Sequence, residues 1–182
     1  MARQINKPVL FGILSVVLVV VMVVGVVVYR AISKGKQIEE HRLKLEAARS
    51  EGDAKKVQIE LQILKQLKPD DTQVREELAR SYEETGDMAR AYQEWVRLVA
   101  KDPENIEGHL KLARYALNNR NYPEAGRQAS EVISRDPENF EAHLLMAKSY
   151  LGRELYAEAE VEVQRALELE PGNTEAVLTR CR

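Results

Sequence analysis

The sequence repeats itself at a step of 34 residues, and this period constrains the fold more than any other feature. The segment "KDPEN" at 101–105 returns as "RDPEN" at 135–139. Four ladders keep the same step: Pro69, Pro103, Pro137 and Pro171; Ala91, Ala125 and Ala159; Leu78, Leu112 and Met146; Ala79, Ala113 and Ala147. Such a period is typical of stacked units, each of which buries its apolar face only against its neighbours.

Each unit reads as two helices. The second copy carries two apolar stripes at helical spacing, formed by Val74, Leu78 and Tyr82 and then by Ala91, Trp95 and Leu98. Gly86 lies between the stripes and suits a tight turn, because glycine adopts backbone angles that other residues avoid. The prolines follow the second stripe of each unit and end its helix. The pattern therefore predicts a helix–turn–helix unit.

These residues resemble the tetratricopeptide repeat family, whose pattern is Trp-x2-Leu-Gly-x2-Tyr, then Ala-x3-Phe, then Pro. The second copy matches at Leu78, Ala79, Tyr82, Ala91, Trp95 and Pro103, and the fourth at Met146, Ala147, Tyr150, Ala159 and Pro171. The third copy is looser, with Ala116 and Ala129 in aromatic positions, and the first is degenerate. The resemblance implies an all-α, right-handed α-solenoid of about four helix pairs, whose first helices line a concave surface.

An uncharged segment precedes the repeats. It runs from Pro8 to Tyr29, and eleven of its residues are valine. At 1.5 Å per residue this segment spans about 33 Å as a helix, close to the thickness of the hydrocarbon core of a bilayer. The alternative is a cleaved signal peptide, but the apolar run is longer than the usual h-region and no small-x-small cleavage site follows it. We therefore expect an uncleaved transmembrane helix.

The charges around this segment do not decide its orientation. Arg3, Lys7 and the terminal amine precede it, and Arg30, Lys34 and further basic residues follow it. The positive-inside rule gives nearly equal weight to both sides. We expect a single-pass protein of the bacterial inner membrane, with the side of the repeats undecided and a periplasmic placement slightly favoured.

Together these patterns divide the chain. The predicted segments are a short basic tail (1–7), the transmembrane helix (8–29), a juxtamembrane helical linker (30–37), the array (38–173, with copies 38–71, 72–105, 106–139 and 140–173) and a last segment (174–182). The last segment reads either as a capping helix or as the truncated start of another repeat. It leaves open whether the array continues.

Composition narrows the function. Residues 51–182 hold 19 Lys or Arg against 26 Asp or Glu, which argues against nucleic acid as a partner. Cys181 is the single cysteine, so an internal disulfide and a cysteine-based metal site are excluded. No phosphate loop, nucleophile elbow or HExxH motif is present, and we predict no enzymatic activity, no cofactor and no small-molecule substrate.

The three histidines share one repeat position. His41, His109 and His143 are separated by multiples of 34 residues, which invites a metal-site hypothesis. However, adjacent helix pairs lie roughly 10 Å apart, whereas zinc ligands converge to about 2 Å from one centre. We expect these side chains to pack against the preceding unit and predict no metal site.

A ladder of basic residues marks the candidate binding surface. Arg80, Arg114 and Lys148 fall one repeat apart on the first helices, which the family resemblance places on the concave side. Other residues predicted for this groove are Leu110, Leu117, Asn118, Leu144 and Leu151. The combination suits a protein or peptide partner with acidic groups. The alternative is that the three cations pair with nearby glutamates.

The favoured function is a membrane-tethered scaffold or adaptor that binds protein or peptide in the concave groove. Two alternatives stay open. One is an assembly factor or chaperone for envelope or cytochrome c biogenesis, as in tetratricopeptide proteins of similar layout. The other is the regulatory N-terminal part of a longer enzyme. The sequence identifies neither the partner nor the oligomeric state.

Overall fold

The computed structural model describes residues 7–180, with side chains from Leu14 onward. Arg3 and Cys181 lie outside the described residues. Within this part of the chain all regular elements are α-helices, which confirms the predicted all-α fold. Two compact units are present, one holding α1 and α2 and the other holding the helices from Lys68 onward.

The helices follow the 34-residue step. The first unit holds α1 (Lys7–Glu51) and α2 (Ala54–Leu67). The second unit holds α3 (Thr72–Glu84), α4 (Met88–Lys101), α5 (Ile106–Asn118), α6 (Tyr122–Arg135), α7 (Phe140–Gly152), α8 (Tyr156–Leu169) and α9 (Thr174–Arg180). Three helix pairs, α3–α4, α5–α6 and α7–α8, thus fall one in each sequence copy from residue 72 to residue 173.

In the first unit the apolar segment and the first repeat helix are a single helix. α1 runs through Gly35 without a break. Leu45 and Ala48 of α1 and Leu61 and Leu64 of α2 are buried where the two helices pack. The predicted juxtamembrane linker is therefore helical and continuous with both of its neighbours.

The apolar part of α1 is uncovered. From Leu14 onward this helix is long and apolar enough to cross a membrane, by length and composition, and its apolar window has no buried residue. A helix of this kind near an N-terminus occurs both as a membrane anchor and as a signal sequence. Its large apolar side chains lie exposed to solvent along the segment from Leu14 to Tyr29.

Polar caps start the helices of the second unit. At the first helix of each pair, and at α9, an Asp or Asn side chain accepts a hydrogen bond from a backbone N–H three residues later: Asp71, Asn105, Asn139 and Asn173. Asp87 and Asn121 do the same at α4 and α6, whereas Leu155 provides no side-chain cap to α8. A side-chain cap contributes about 1 kcal/mol and fixes where a helix begins.

A buried polar contact, here called the polar clamp, holds each helix pair together. His109 Nδ1 lies 2.6 Å from Gln128 Oε1, and its Nε2 lies 2.9 Å from the carbonyl oxygen of Pro103. His143 makes the same contacts with Glu162 (2.7 Å) and with Pro137 (3.0 Å). Each clamp therefore links the first helix to the second and to the turn that precedes the pair. The histidines thus occupy a packing role.

Arginine replaces histidine in the clamp of the second copy. Arg75 donates one hydrogen bond to Glu94 at 2.6 Å and another to the carbonyl oxygen of Pro69 at 3.3 Å. Both side chains of this ion pair are buried, and Arg75 Nε is a buried donor without a partner. The second copy therefore buries the charged pair Arg75–Glu94 where the third copy has His109 and the neutral Gln128.

Glu83 joins three helices at the junction of the first two pairs of the second unit. Its carboxylate accepts hydrogen bonds from Trp95 Nε1 at 2.9 Å, Lys111 Nζ at 2.5 Å and the Tyr115 hydroxyl at 3.0 Å. Burial and the neighbouring Glu83 carboxylate raise the pKa of Tyr115, so its hydroxyl remains a donor. This contact fixes α3, α4 and α5 together.

The spacing between successive pairs differs from one junction to the next. Gly126 of α6 lies against Ser149 of α7, whose hydroxyl donates to the carbonyl oxygen of Tyr122 at 2.7 Å. The equivalent positions one repeat earlier are Tyr92 and Tyr115, whose rings meet edge to face at 5.8 Å. Two small residues thus bring α6 and α7 together, whereas two aromatic rings lie between α4 and α5.

We expect Gly126→Ala to destabilise the second unit. The added Cβ would lie 2.7 Å from Ser149 Oγ, and Ser149 is buried and held by its hydrogen bond. Overpacking of this kind costs about 1–3 kcal/mol. The measurement is urea unfolding of the detergent-solubilised chain, followed by circular dichroism. The matched control is Gly35→Ala, at a helical glycine with open space around it; an equal loss in both variants would contradict the packing argument.

The clamp of the second copy makes a second prediction. Glu94→Gln leaves a buried guanidinium without its carboxylate, which should cost about 3 kcal/mol. Adding Arg75→His to Glu94→Gln reproduces the His109–Gln128 pair of the next repeat and should recover most of that loss. Thermal unfolding of the two variants and of the native chain tests this. A double variant as unstable as the single one would show that the clamp positions are not interchangeable.

Candidate partner-binding groove

The second unit has an inner layer and an outer layer of helices. The first helices α5, α7 and α9 pack on one another in succession, whereas the described residues of α4, α6 and α8 show no comparable packing between them. Neighbouring first helices are therefore closer together than neighbouring second helices. The first helices form the inner, concave side, and the groove lies along them.

A cavity of about 370 Å³ opens on α5 and α7 in this groove. Five of the sequence-predicted residues line it: Arg114, Leu117, Asn118, Leu144 and Lys148. Phe140, Glu141, Leu145 and Glu175 complete the lining. Leu117 and Phe140 give its floor half-buried apolar surface, Leu144 and Leu145 are almost fully buried, and Arg114, Glu141, Lys148 and Glu175 make much of the remaining lining charged.

A second cavity of about 460 Å³ shares Leu117 and Lys148 with the first. It contains the predicted residue Leu151, together with Tyr122, Gly152, Tyr156 and Thr179. The two cavities therefore continue one another across α7. Six of the eight predicted residues line this continuous depression.

The other two predicted residues lie elsewhere. Leu110 lines neither cavity; it is half-buried and packs against the cluster of Ala113, Ala129, Leu145 and Met146, as Leu117 also does. Arg80 lies on α3 and lines neither cavity; its guanidinium bonds to Glu107 and to Glu76.

Each cation of the ladder is paired with a glutamate of the next inner helix. Arg80 Nε donates to Glu107 at 2.9 Å, Arg114 Nε donates to Glu141 at 2.5 Å, and Lys148 donates to Glu175. The partner lies 27 residues further along the chain in all three cases. The alternative weighed from the sequence, that these cations pair with nearby glutamates, therefore describes their contacts. Arg80 also makes an i,i+4 pair with Glu76, at 2.7 Å.

These pairs set the electrostatics of the groove. The hydrogen bond that Arg114 donates to Glu141 raises the pKa of Arg114, and the one that Arg80 donates to Glu107 raises the pKa of Arg80. The cations thus stay charged but are locally neutralised. The groove presents alternating positive and negative groups at the repeat spacing, with apolar surface between them.

Sequence reasoning missed two ladders that a search for acceptors would have found. Glu107, Glu141 and Glu175 keep the 34-residue step. The clamp residues Glu94, Gln128 and Glu162 keep it too, as does Glu60, which lies 2.6 Å from His41 in the first copy. Each set lies at a constant offset from the residues that it pairs with. Comparing every polar position at the repeat step, and not only the cations, reveals both.

Comparisons with known proteins agree with this fold. Residues 110–174 match the sequence profile of the tetratricopeptide repeat family. None of the curated proteins matches the sequence of this chain.

Several solved structures share the fold. The crystal structure of MamA protein aligns with a TM-score of 0.71 at 14% identity, over 80% of this chain and 80% of that chain. MamA 41-end from Desulfovibrio magneticus RS-1 aligns with a TM-score of 0.68 at 16% identity, over 76% of this chain and 78% of that one. The first TPR of Spaghetti (RPAP3), bound to the HSP90 peptide SRMEEVD, gives 0.57 at 20% identity, over 60% and 87%. Identities this low show the fold alone. Residues 110–174 thus match the tetratricopeptide repeat family, and the chain shares the helical-repeat fold of these solved structures.

Proposed function

We propose that this chain is a membrane-tethered scaffold whose concave groove binds a segment of a partner protein. The observation that carries the proposal is the cavity on α5 and α7, where Arg114, Leu117, Asn118, Leu144 and Lys148 come together. Concave, largely apolar sites with a few placed polar groups are where proteins bind ligands.

The apolar floor supplies most of the binding free energy. Leu117, Phe140 and Leu144 lie between the two ion pairs that border the cavity. Burying one large apolar side chain contributes about 1.5–3 kcal/mol. One or two apolar anchor residues of an extended or helical segment, set into this floor, would give the groove its affinity.

Acidic groups of the partner would bind by exchange. An exposed ion pair contributes only about 0–1 kcal/mol, so replacing Glu141 on Arg114 by a partner carboxylate costs little. The exchange also adds little to the free energy of binding, because a carboxylate of the partner only replaces the carboxylate of Glu141. Charge therefore selects the register of the segment along the groove, and the apolar floor sets its affinity.

Two further features support the proposal. A TPR domain of the same fold, that of Spaghetti (RPAP3), is bound to a peptide, SRMEEVD, with three acidic side chains. The long apolar helix α1 would hold the array at a bilayer, which raises the local concentration of the groove for membrane-bound partners.

Charge reversal in the groove should abolish partner capture, because it sets like charges against the partner's carboxylates in the register that the apolar floor requires. Arg114→Glu with Lys148→Glu removes both groove cations, and it also places carboxylate against carboxylate at the two ion pairs. The measurement is co-purification from membranes of the native host, with quantitative mass spectrometry. Adding Glu141→Arg and Glu175→Lys restores the two inter-helix pairs with swapped charges, so this quadruple variant should keep its thermal stability and still lose its partner.

The control for capture is Arg127→Glu with Arg135→Glu, which reverses two cations of the outer helix α6. Retention of the same partners by the quadruple variant at native levels would refute groove binding.

The anchor makes a separate prediction. Because the apolar segment lacks a cleavage site and continues into the first repeat helix, the mature protein should retain residues 8–29. Intact mass of the protein purified from host membranes tests this. Protease protection of spheroplasts then gives the side on which α3 to α9 lie. A mature chain that begins after Tyr29 would show that residues 8–29 belong to a cleaved signal peptide and not to an anchor.

A further inference from the structure

The solvent face of α4 is uncharged, unlike the equivalent faces of the other outer helices in its unit. Six exposed residues form it, here called the α4 face: Met88, Ala89, Tyr92, Gln93, Val96 and Ala100. Met88, Tyr92 and Val96 are 50%, 43% and 41% exposed. Exposed large apolar side chains grouped on one face mark interaction sites more often than isolated ones do.

The repeat itself provides the comparison. One step later, on α6, the same positions hold Tyr122, Pro123, Gly126, Arg127, Ser130 and Ser134. Two steps later, on α8, they hold Tyr156, Ala157, Glu160, Val161, Gln164 and Glu168. Each of those faces carries charge or small polar residues. The repeat pattern therefore does not require an apolar surface here, and the α4 face needs another explanation.

The two edges of this face differ. At 3.6 residues per turn, Ala89, Gln93, Val96 and Ala100 fall within about 60° of one another at its centre. Tyr92 lies on the edge nearest α5, where its ring meets that of Tyr115. The opposite edge carries Arg90, Arg97 and Lys101. On α6 the same edge holds Glu124, Glu131 and Arg135, and on α8 it holds Glu158, Arg165 and Leu169.

The three cations of the basic edge and the buried Arg75 share three carboxylates. Glu94 accepts from the buried Arg75 at 2.6 Å and from Arg97 at 3.2 Å, so one carboxylate serves two guanidinium groups. Arg90 pairs with Asp87, and Lys101 pairs with Asp70. The side chain of Arg97 is 57% exposed and can therefore bind a further carboxylate without leaving Glu94.

From these observations we infer that the α4 face is a second docking surface, independent of the groove, for an amphipathic helix of a partner protein. The apolar stripe of that helix packs on Tyr92, Val96 and the alanines between the edges. Its carboxylates, along one border, meet Arg97 and Arg90. The small residues Ala89 and Ala100 allow two helices to approach closely, as in helix–helix packing within proteins.

A second copy of this chain fits the same face poorly. In a two-fold antiparallel pair of α4 helices, each edge faces its own equivalent. Arg90 and Arg97 would then face the same cations of the other copy, and like charges across an interface disfavour association. The basic edge therefore selects an acidic helix.

A pair of synthetic peptides tests the inference. The probe is a fluorescein-labelled 16-residue helical peptide with a leucine stripe bordered by glutamates, and its counterpart carries lysine at each glutamate. Fluorescence anisotropy measures binding to the full chain in phosphatidylcholine nanodiscs, with empty nanodiscs as the blank. We expect the glutamate probe to bind about tenfold more tightly than the lysine probe at low salt.

The matched variants are Val96→Glu, at the centre of the α4 face, and Ser130→Glu, at the same repeat position on α6. Val96→Glu should weaken binding of the glutamate probe about tenfold or more, and Ser130→Glu should leave it unchanged. Because the acidic probe can also enter the groove, both glutamate variants are measured again in the quadruple groove variant, where the same difference between them is expected. Equal binding of both probes, equal loss in both glutamate variants, loss of their difference in the groove variant or α4-dependent self-association would each overturn the inference.

Discussion

The buried polar clamp is the contact on which the stacking of this protein depends. A helix pair with one apolar face has no intrinsic preference for how far its two helices slide along each other. His109 and His143 remove that freedom, because each side chain must reach an acceptor on the second helix and a proline carbonyl in the preceding turn at once. An unsatisfied buried donor costs about 1–3 kcal/mol, so a displaced helix would lose both hydrogen bonds and burial. This contact therefore fixes the two helices of each pair against each other, while the residues at each junction set the spacing of the inner helices.

Much of the fold was predictable from the sequence, because the residues that repeat at the 34-residue step each have a structural role that does not depend on a particular partner residue. Prolines end helices and alanines permit close packing, so Pro103 and Ala113 reveal their roles without a partner. The clamp and the ion pairs of the groove were not predicted, because the role of each residue in them depends on a partner residue on another helix. Glu94 and Glu141 look like solvated helix residues until the crossing of two helices brings Arg75 and Arg114 to them. Leu110 and Leu117 were both predicted for the groove by their spacing, and both pack against the same core cluster, while Leu117 also lines the cavity.

The charged residues are arranged differently on the groove side and on the outer side of the array. Along the groove every cation of the ladder has its own glutamate on the next helix, so the net charge is small and the apolar floor dominates. On the outer side, α4 shares one carboxylate between Arg75 and Arg97 and keeps an excess of positive charge beside an uncharged face. The same repeat thus yields a neutral groove and a polarised outer surface. Two different surfaces can arise from one repeat because packing fixes the residue type at the clamp and alanine positions, whereas exposed positions can vary from copy to copy.

The unbroken helix α1 has a mechanical consequence. The 22 residues from Arg30 to Glu51 continue the apolar segment, and no turn or proline separates them. If α1 spans a bilayer as proposed, this stretch would act as a lever about 33 Å long. A helix tilt of about 20°, common for membrane spans, would carry its far end roughly 11 Å sideways. Because tilt responds to bilayer thickness, the lateral position of the first helix pair would differ between thin and thick membranes without any change in its own structure.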